Sequence, residues 1–152
     1  MDEELITAYH EAAHAVAAIR AGLVFDHVTA IPDELGETEG ALHWSELQAS
    51  GDIEVSPQLL AVVLLAGPCA EARVTNREVD EVFVDEEAAD DREALAALML
   101  DARAFTAASV EALALIERDW PHIDRIANEL LEVDELTYAE VEAVLAAAPN
   151  YS

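Results

Sequence analysis

Residues 10 to 14 read His-Glu-Ala-Ala-His, an H-E-x-x-H pattern. On an α-helix its two histidines, His10 and His14, fall about 40° apart around the axis, so both imidazoles can turn to one cation beside the helix. Glu11 is offset by about 100° from His10. It is poorly placed as a third equivalent ligand, yet it can reach a water bound to the same cation. That combination is the chemistry of metal-assisted hydrolysis: Zn²⁺ brings the pKa of its water to about 7, and a neighbouring carboxylate takes the proton and passes it to a leaving amine. Random placement of the chain's 5 His and 21 Glu would produce the pattern on the order of 0.02 times. The bland alternative is two core histidines satisfied by backbone or carboxylate partners, which is costly on so apolar a helix.

A catalytic zinc wants three protein ligands and an open position, so another side chain must arrive from elsewhere. The run from Ala88 to about Ala107 has helical period, with Asp91, Leu95, Leu98, Ala102 and Phe105 on one face and Asp90, Arg92, Glu93 and Asp101 mostly on the other. Asp91 thus points inward with the apolar stripe, where coordination to a cation would offset the cost of a buried carboxylate. A helix cap or an Arg-paired acid is its structural alternative. Glu71, on the apolar helix Gln58 to about Val74, is the next candidate ligand; an ion pair, or a hydrogen bond to a ligating histidine, suits it better. His27, His43 and His122 have no partner at ligand spacing and read as solvated. Cys69, the single cysteine, reads as an inert buried thiol beside the apolar run Leu59 to Ala66.

The elements that must position these groups are mainly helical. Asp2 can cap a first helix that runs to about Ala21 and stops at Gly22. It carries alanine or larger apolar residues on most sides, so it belongs inside the domain. Residues 24 to 31 are rich in β-branched types and end at Pro32; with a second short strand, Ala41 to Trp44, they form a wide hairpin around an acidic, glycine-rich loop. Ser56-Pro57 opens the second helix. Thr75 to Glu87 reads as a long surface loop, followed by helices over Ala88 to Ala107, Ser109 to Asp119, Pro121 to Glu132 and Tyr138 to Ala148, the last opened by the capping box Thr137-x-x-Glu140. Trp120-Pro121 reads as a helix junction. The expected fold is mainly α (α+β) with a small β hairpin, residues 1–152 forming a single domain.

Thr7-Ala8-Tyr9-His10-Glu11-Ala12-Ala13-His14-Ala15-Val16 closely resembles the zinc-site helix of the peptidase domain in FtsH-type ATP-dependent membrane zinc proteases. Later features follow in the family's order. His27-Val28-Thr29-Ala30-Ile31-Pro32 and Gly40-Ala41-Leu42 resemble its strand pair, and Leu65-Ala66-Gly67-Pro68-Cys69-Ala70-Glu71-Ala72 resembles its L-A-G-x-x-A-E helix. Asp90-Asp91-Arg92-Glu93-Ala94 falls where the family has an N-D-x-x-x-A segment whose aspartate is the third zinc ligand. The resemblance spans most of residues 5 to 107 and implies a helical zinc-peptidase domain holding one Zn²⁺ per chain on His10, His14 and Asp91. Glu11 would then be the general base for hydrolysis of peptide bonds in peptides or unfolded segments. Two departures stand out: Ala13 replaces the family's usual glycine, and neither a membrane span nor a G-x-x-x-x-G-K-[ST] loop occurs in the 152 residues. Hydrolysis without ATP is therefore expected, compatible with delivery by a separate unfoldase. The alternative is a catalytically silent, peptidase-like binding or regulatory domain with a structural metal. An intact Glu11 favours the enzyme, because a structural zinc needs no base beside it. Homo-oligomer formation stays open, with no subunit number implied.

Composition narrows the partners. With 33 acidic residues against 7 basic ones, all Arg, the formal charge is −26, which repels nucleic acid and anionic lipid and disfavours acidic substrates. The start Met1-Asp2-Glu3-Glu4 lacks the basic residues of a secretory signal, and the longest apolar run falls well short of the roughly 20 residues that span a bilayer. A cytoplasmic protein without membrane insertion is the expectation. Because salt screens self-repulsion, the acid excess also fits adaptation to high salt: the thermal unfolding midpoint should rise from low to molar salt, and a flat response would exclude that origin.

Overall fold

The computed structural model describes residues 3–25, 27–29, 41–42, 48–49, 56–83, 93 and 95–146. Helix α1, Glu3–Arg20, ends at Gly22, whose φ of 81° is left-handed backbone that glycine adopts without a Cβ penalty. Every residue from Ala8 to Ala18 is buried, as an alanine-rich helix without a polar face requires. Helix α2, Pro57–Thr75, begins where Ser56 caps it: the Ser56 hydroxyl accepts from the Leu59 N–H at 3.1 Å. It ends on Asn76, at a left-handed φ of 56°. By length and composition α2 could cross a membrane, because Gly67–Ala72 extend the apolar run, but residues 61–72 are packed inside the protein. Its apolar surface is thus covered by its own fold.

Helix α1 packs chiefly against α2 and against α5, Trp120–Val133, while α2 is backed by α4, Ala102–Arg118. Short α3, Val79–Phe83, packs on α2, and α6, Tyr138–Ala146, packs on α5. Strands β1 (Leu23–Val24) and β4 (Gln48–Ala49) pair antiparallel. Strands β3 (Ala41–Leu42), β2 (His27–Thr29) and β5 (Glu135–Thr137) form an antiparallel sheet in that order, in the register Thr29↔Ala41 and Val28↔Leu136. The chain is therefore mainly α-helical with a small β hairpin, β2–β3, and its buried apolar residues form one continuous cluster from Ala8 to Val144.

Three expected boundaries are corrected. The loop expected over Thr75 to Glu87 contains α3, anchored by fully buried Val82. The helix expected from Ala88 to Ala107 breaks: residues 95–97 are helical, Met99 turns at a φ of 53°, and Asp101 caps α4 by accepting from the Ala104 N–H at 2.7 Å. That cap offers the chain a second start, and the helix expected from Ser109 is the continuation of the same α4. Ala102 and Phe105 are consequently exposed, whereas Leu95 is buried. Strand β5 occupies the stretch between the helices expected to end near Glu132 and to begin at Tyr138.

Side chains lock the helices to one another. Arg20 at the end of α1 donates from Nε and Nη2 to the buried Asp119 carboxylate at 3.2 and 2.9 Å, where α4 meets α5. Tyr9 stacks on Trp120, ring centroids 5.3 Å apart, and donates its hydroxyl to Asp124. Burial above all, reinforced by Asp124, pushes the Tyr9 phenol up to about 12. Arg73 sits over the Trp120 ring at 4.4 Å, so Trp120 is the helix junction that the sequence suggested. Burial also pushes the Cys69 thiol up to about 12, the state of an unreactive thiol.

The capping box is present: the Glu140 N–H donates to Thr137 Oγ1 at 3.3 Å, and the Thr137 N–H donates to Glu140 Oε1 at 3.0 Å. Thr137→Ala should lower unfolding free energy by about 1 kcal/mol, read by chemical denaturation, while Thr137→Ser should keep nearly all of it.

Candidate metal centre

One turn of α1 presents His10 and His14 to α2, and three residues of α2 at four-residue spacing receive them. Val63, Gly67 and Glu71 progress by about 40° per step and so share a helix face. His14 Nδ1 lies 2.7 Å from the Val63 carbonyl oxygen, and His10 Nδ1 lies 3.1 Å from Glu71 Oε2. Small residues let the backbones approach: Ala12, Ala13, Ala66 and Ala70 are fully buried, and Gly67 abuts both imidazoles.

These contacts decide where the ring protons are. A carbonyl and a carboxylate only accept, so in the neutral rings each Nδ1 carries the hydrogen and each Nε2 presents its lone pair. The two Nε2 atoms lie 3.1 Å apart, with the rings at 74° to one another. At that distance one Nε2 can hydrogen-bond the other, or both can bind one cation: zinc–imidazole bonds of about 2.0–2.1 Å in a tetrahedron set the nitrogens roughly 3.3 Å apart. The donor set fits zinc: two imidazoles oriented through their outer nitrogens by a carbonyl and a carboxylate.

Glu11 completes the cluster. Its Oε1 stands 3.9 Å from His10 Nε2, and the ligand atoms of His10, Glu11 and His14 lie within 4.8 Å of one another, all three residues being buried. That separation suits a carboxylate reaching a water at the Nε2 pair, the role its angular offset suggested. Glu71 sits on the outer nitrogen of His10, hydrogen-bonding a candidate ligand. Asp91, with Asp90 and Arg92, lies outside the described residues, as does His43. Helical backbone ends after residue 97, so Ala102 and Phe105 do not continue the face that carries Leu95. His27 Nε2 pairs with Glu135 across β2–β5 at 3.1 Å, and His122 lies in the first turn of α5.

Sequence reasoning gave no role to Val63 or Gly67. The available signal was a glycine one helical turn before Glu71, ahead of Pro68 within the helix, and a valine one turn before that.

Glu71→Ala removes the acceptor that orients His10 and should weaken binding of a divalent cation by about 10–100-fold, measured by competition with a chromophoric chelator, with far-ultraviolet circular dichroism unchanged. No family model matches the chain, and no curated protein matches it either.

Proposed function

We propose that this chain is a zinc metalloendopeptidase, with His10, His14 and Asp91 holding one zinc ion per chain and Glu11 acting as general base. The observation that carries the reading is the convergence of two Nε2 atoms at 3.1 Å while both Nδ1 atoms face acceptors. Asp91 enters through the resemblance of residues 90–94 to the third-ligand segment of FtsH-type peptidases.

Bound there, zinc supplies Lewis acidity, lowering the pKa of water to about 7 and polarising a peptide carbonyl. The protein's groups do the rest. Glu11, 7% exposed and 3.9 Å from His10 Nε2, takes the proton from the attacking water and returns it to the leaving amine as the peptide bond breaks. Glu71 and Val63 keep the imidazoles in the tautomer that leaves Nε2 to the cation. The burial of all three cluster residues limits bulk water around them and strengthens the electrostatics of proton transfer.

The substrates proposed are peptides or unfolded segments, disfavoured when acidic because of the chain's −26 charge, with a separate unfoldase as a compatible partner and the cytoplasm as the setting. Nucleic acid and membrane have no part in this reading.

Purified protein should carry about one equivalent of zinc. Glu11→Gln should keep that zinc but lower a chelator-sensitive cleavage of unfolded polypeptide by about 10²–10⁴-fold, and His14→Ala should lose the metal. Equal metal content in parent and His14→Ala would defeat the site. Zinc-loaded parent that cleaves nothing across broad peptide libraries would make this a binding or regulatory domain with a structural metal.

A further inference from the structure

We infer that Gly67 is a positioning residue of the metal site, keeping open the notch between the two imidazoles. The inference rests on the zinc reading and extends it to a residue with no ligand atom. A Cβ at Gly67 would stand 2.3 Å from His14 Nε2, 2.7 Å from His10 Nε2 and 2.7 Å from His14 Cε1. Carbon contacts settle at about 3.5–4.0 Å, so even one methyl group forces both rings back.

The rings have little freedom to retreat. Their outer nitrogens are held by Val63 and Glu71, one turn before and one turn after Gly67 on the same helix. A methyl at position 67 pushes the rings away from α2 while these two hydrogen bonds hold them to it. Either the Nε2 pair loses its 3.1 Å convergence or an Nδ1 bond breaks, and each outcome spoils the presentation of two lone pairs to one cation. Elsewhere the helix accepts alanine: Ala61, Ala66, Ala70 and Ala72 are all buried in α2. Pro68, inside the helix, crowds a Cβ on the residue before it, and the two imidazoles add a demand on position 67 that the other alanines of α2 do not meet.

This gives different costs for one substitution in two backgrounds. Zinc affinity, by chelator competition, should fall by about tenfold or more in Gly67→Ala, and the rise in melting temperature on adding zinc should largely disappear. In excess chelator, Gly67→Ala should melt below the parent. On a His10→Ala/His14→Ala background, where both rings that the methyl would meet are gone, the same substitution should leave the melting temperature unchanged or raise it. A Gly67→Ala zinc affinity within roughly twofold of the parent's, or an equal fall in melting temperature in both backgrounds, overturns the role of Gly67. If Gly67→Ala does not fold, the triple variant decides: a melting temperature at or above that of His10→Ala/His14→Ala supports the inference, a clear fall overturns it. Parent protein that takes up no zinc from a stoichiometric zinc titration removes the zinc reading itself, and this inference with it.

Discussion

Two hydrogen bonds on the far side of the histidines govern this molecule. A backbone carbonyl from Val63 and a carboxylate from Glu71 each claim an Nδ1 proton, and by doing so they fix what the other side of each ring can do. Both lone pairs are turned inward, 3.1 Å apart, in a place with almost no access to water. At that distance one Nε2 can hydrogen-bond the other, or both can meet one cation.

The rest of the fold makes those two bonds possible. They require α1 and α2 to lie close over the turn from His10 to His14, and alanines on both helices permit it. They also require α1 not to roll. Tyr9, the neighbour of His10, is gripped by Trp120 and Asp124, and Arg20 is gripped by Asp119. Both anchors come from the α4–α5 corner, so the side of α1 that carries His10 and His14 is set by clamps on another side and at its end. Polar groups buried in a core are affordable only when their partners are fixed in this way.

Much of the site was legible because it is local. A four-residue spacing on a helix is a statement about direction, and it correctly brought His10, Glu11 and His14 together. The alternatives for Glu71 followed from its place on an apolar helix, and the structure realises the hydrogen bond to His10. The role of Gly67 was not legible, since it depends on the distance between two helices. Nor was the break at 98–100: Leu98, Met99 and Leu100 are all acceptable in a helix, and the Asp101 cap with a left-handed Met99 prevails over their periodicity. Strands β4 and β5 are too short to carry an alternating pattern, and each exists through a partner distant in sequence.

The three-stranded sheet mixes the two ends of the chain, since β2 is paired on one edge by residues 135–137. During synthesis, the histidine helix and its α2 scaffold emerge well before that edge can be filled. Until residues 135–137 leave the ribosome, that edge of β2 has unsatisfied amide and carbonyl groups open to another strand. A nick or truncation ahead of Glu135 would expose the same edge in the finished protein.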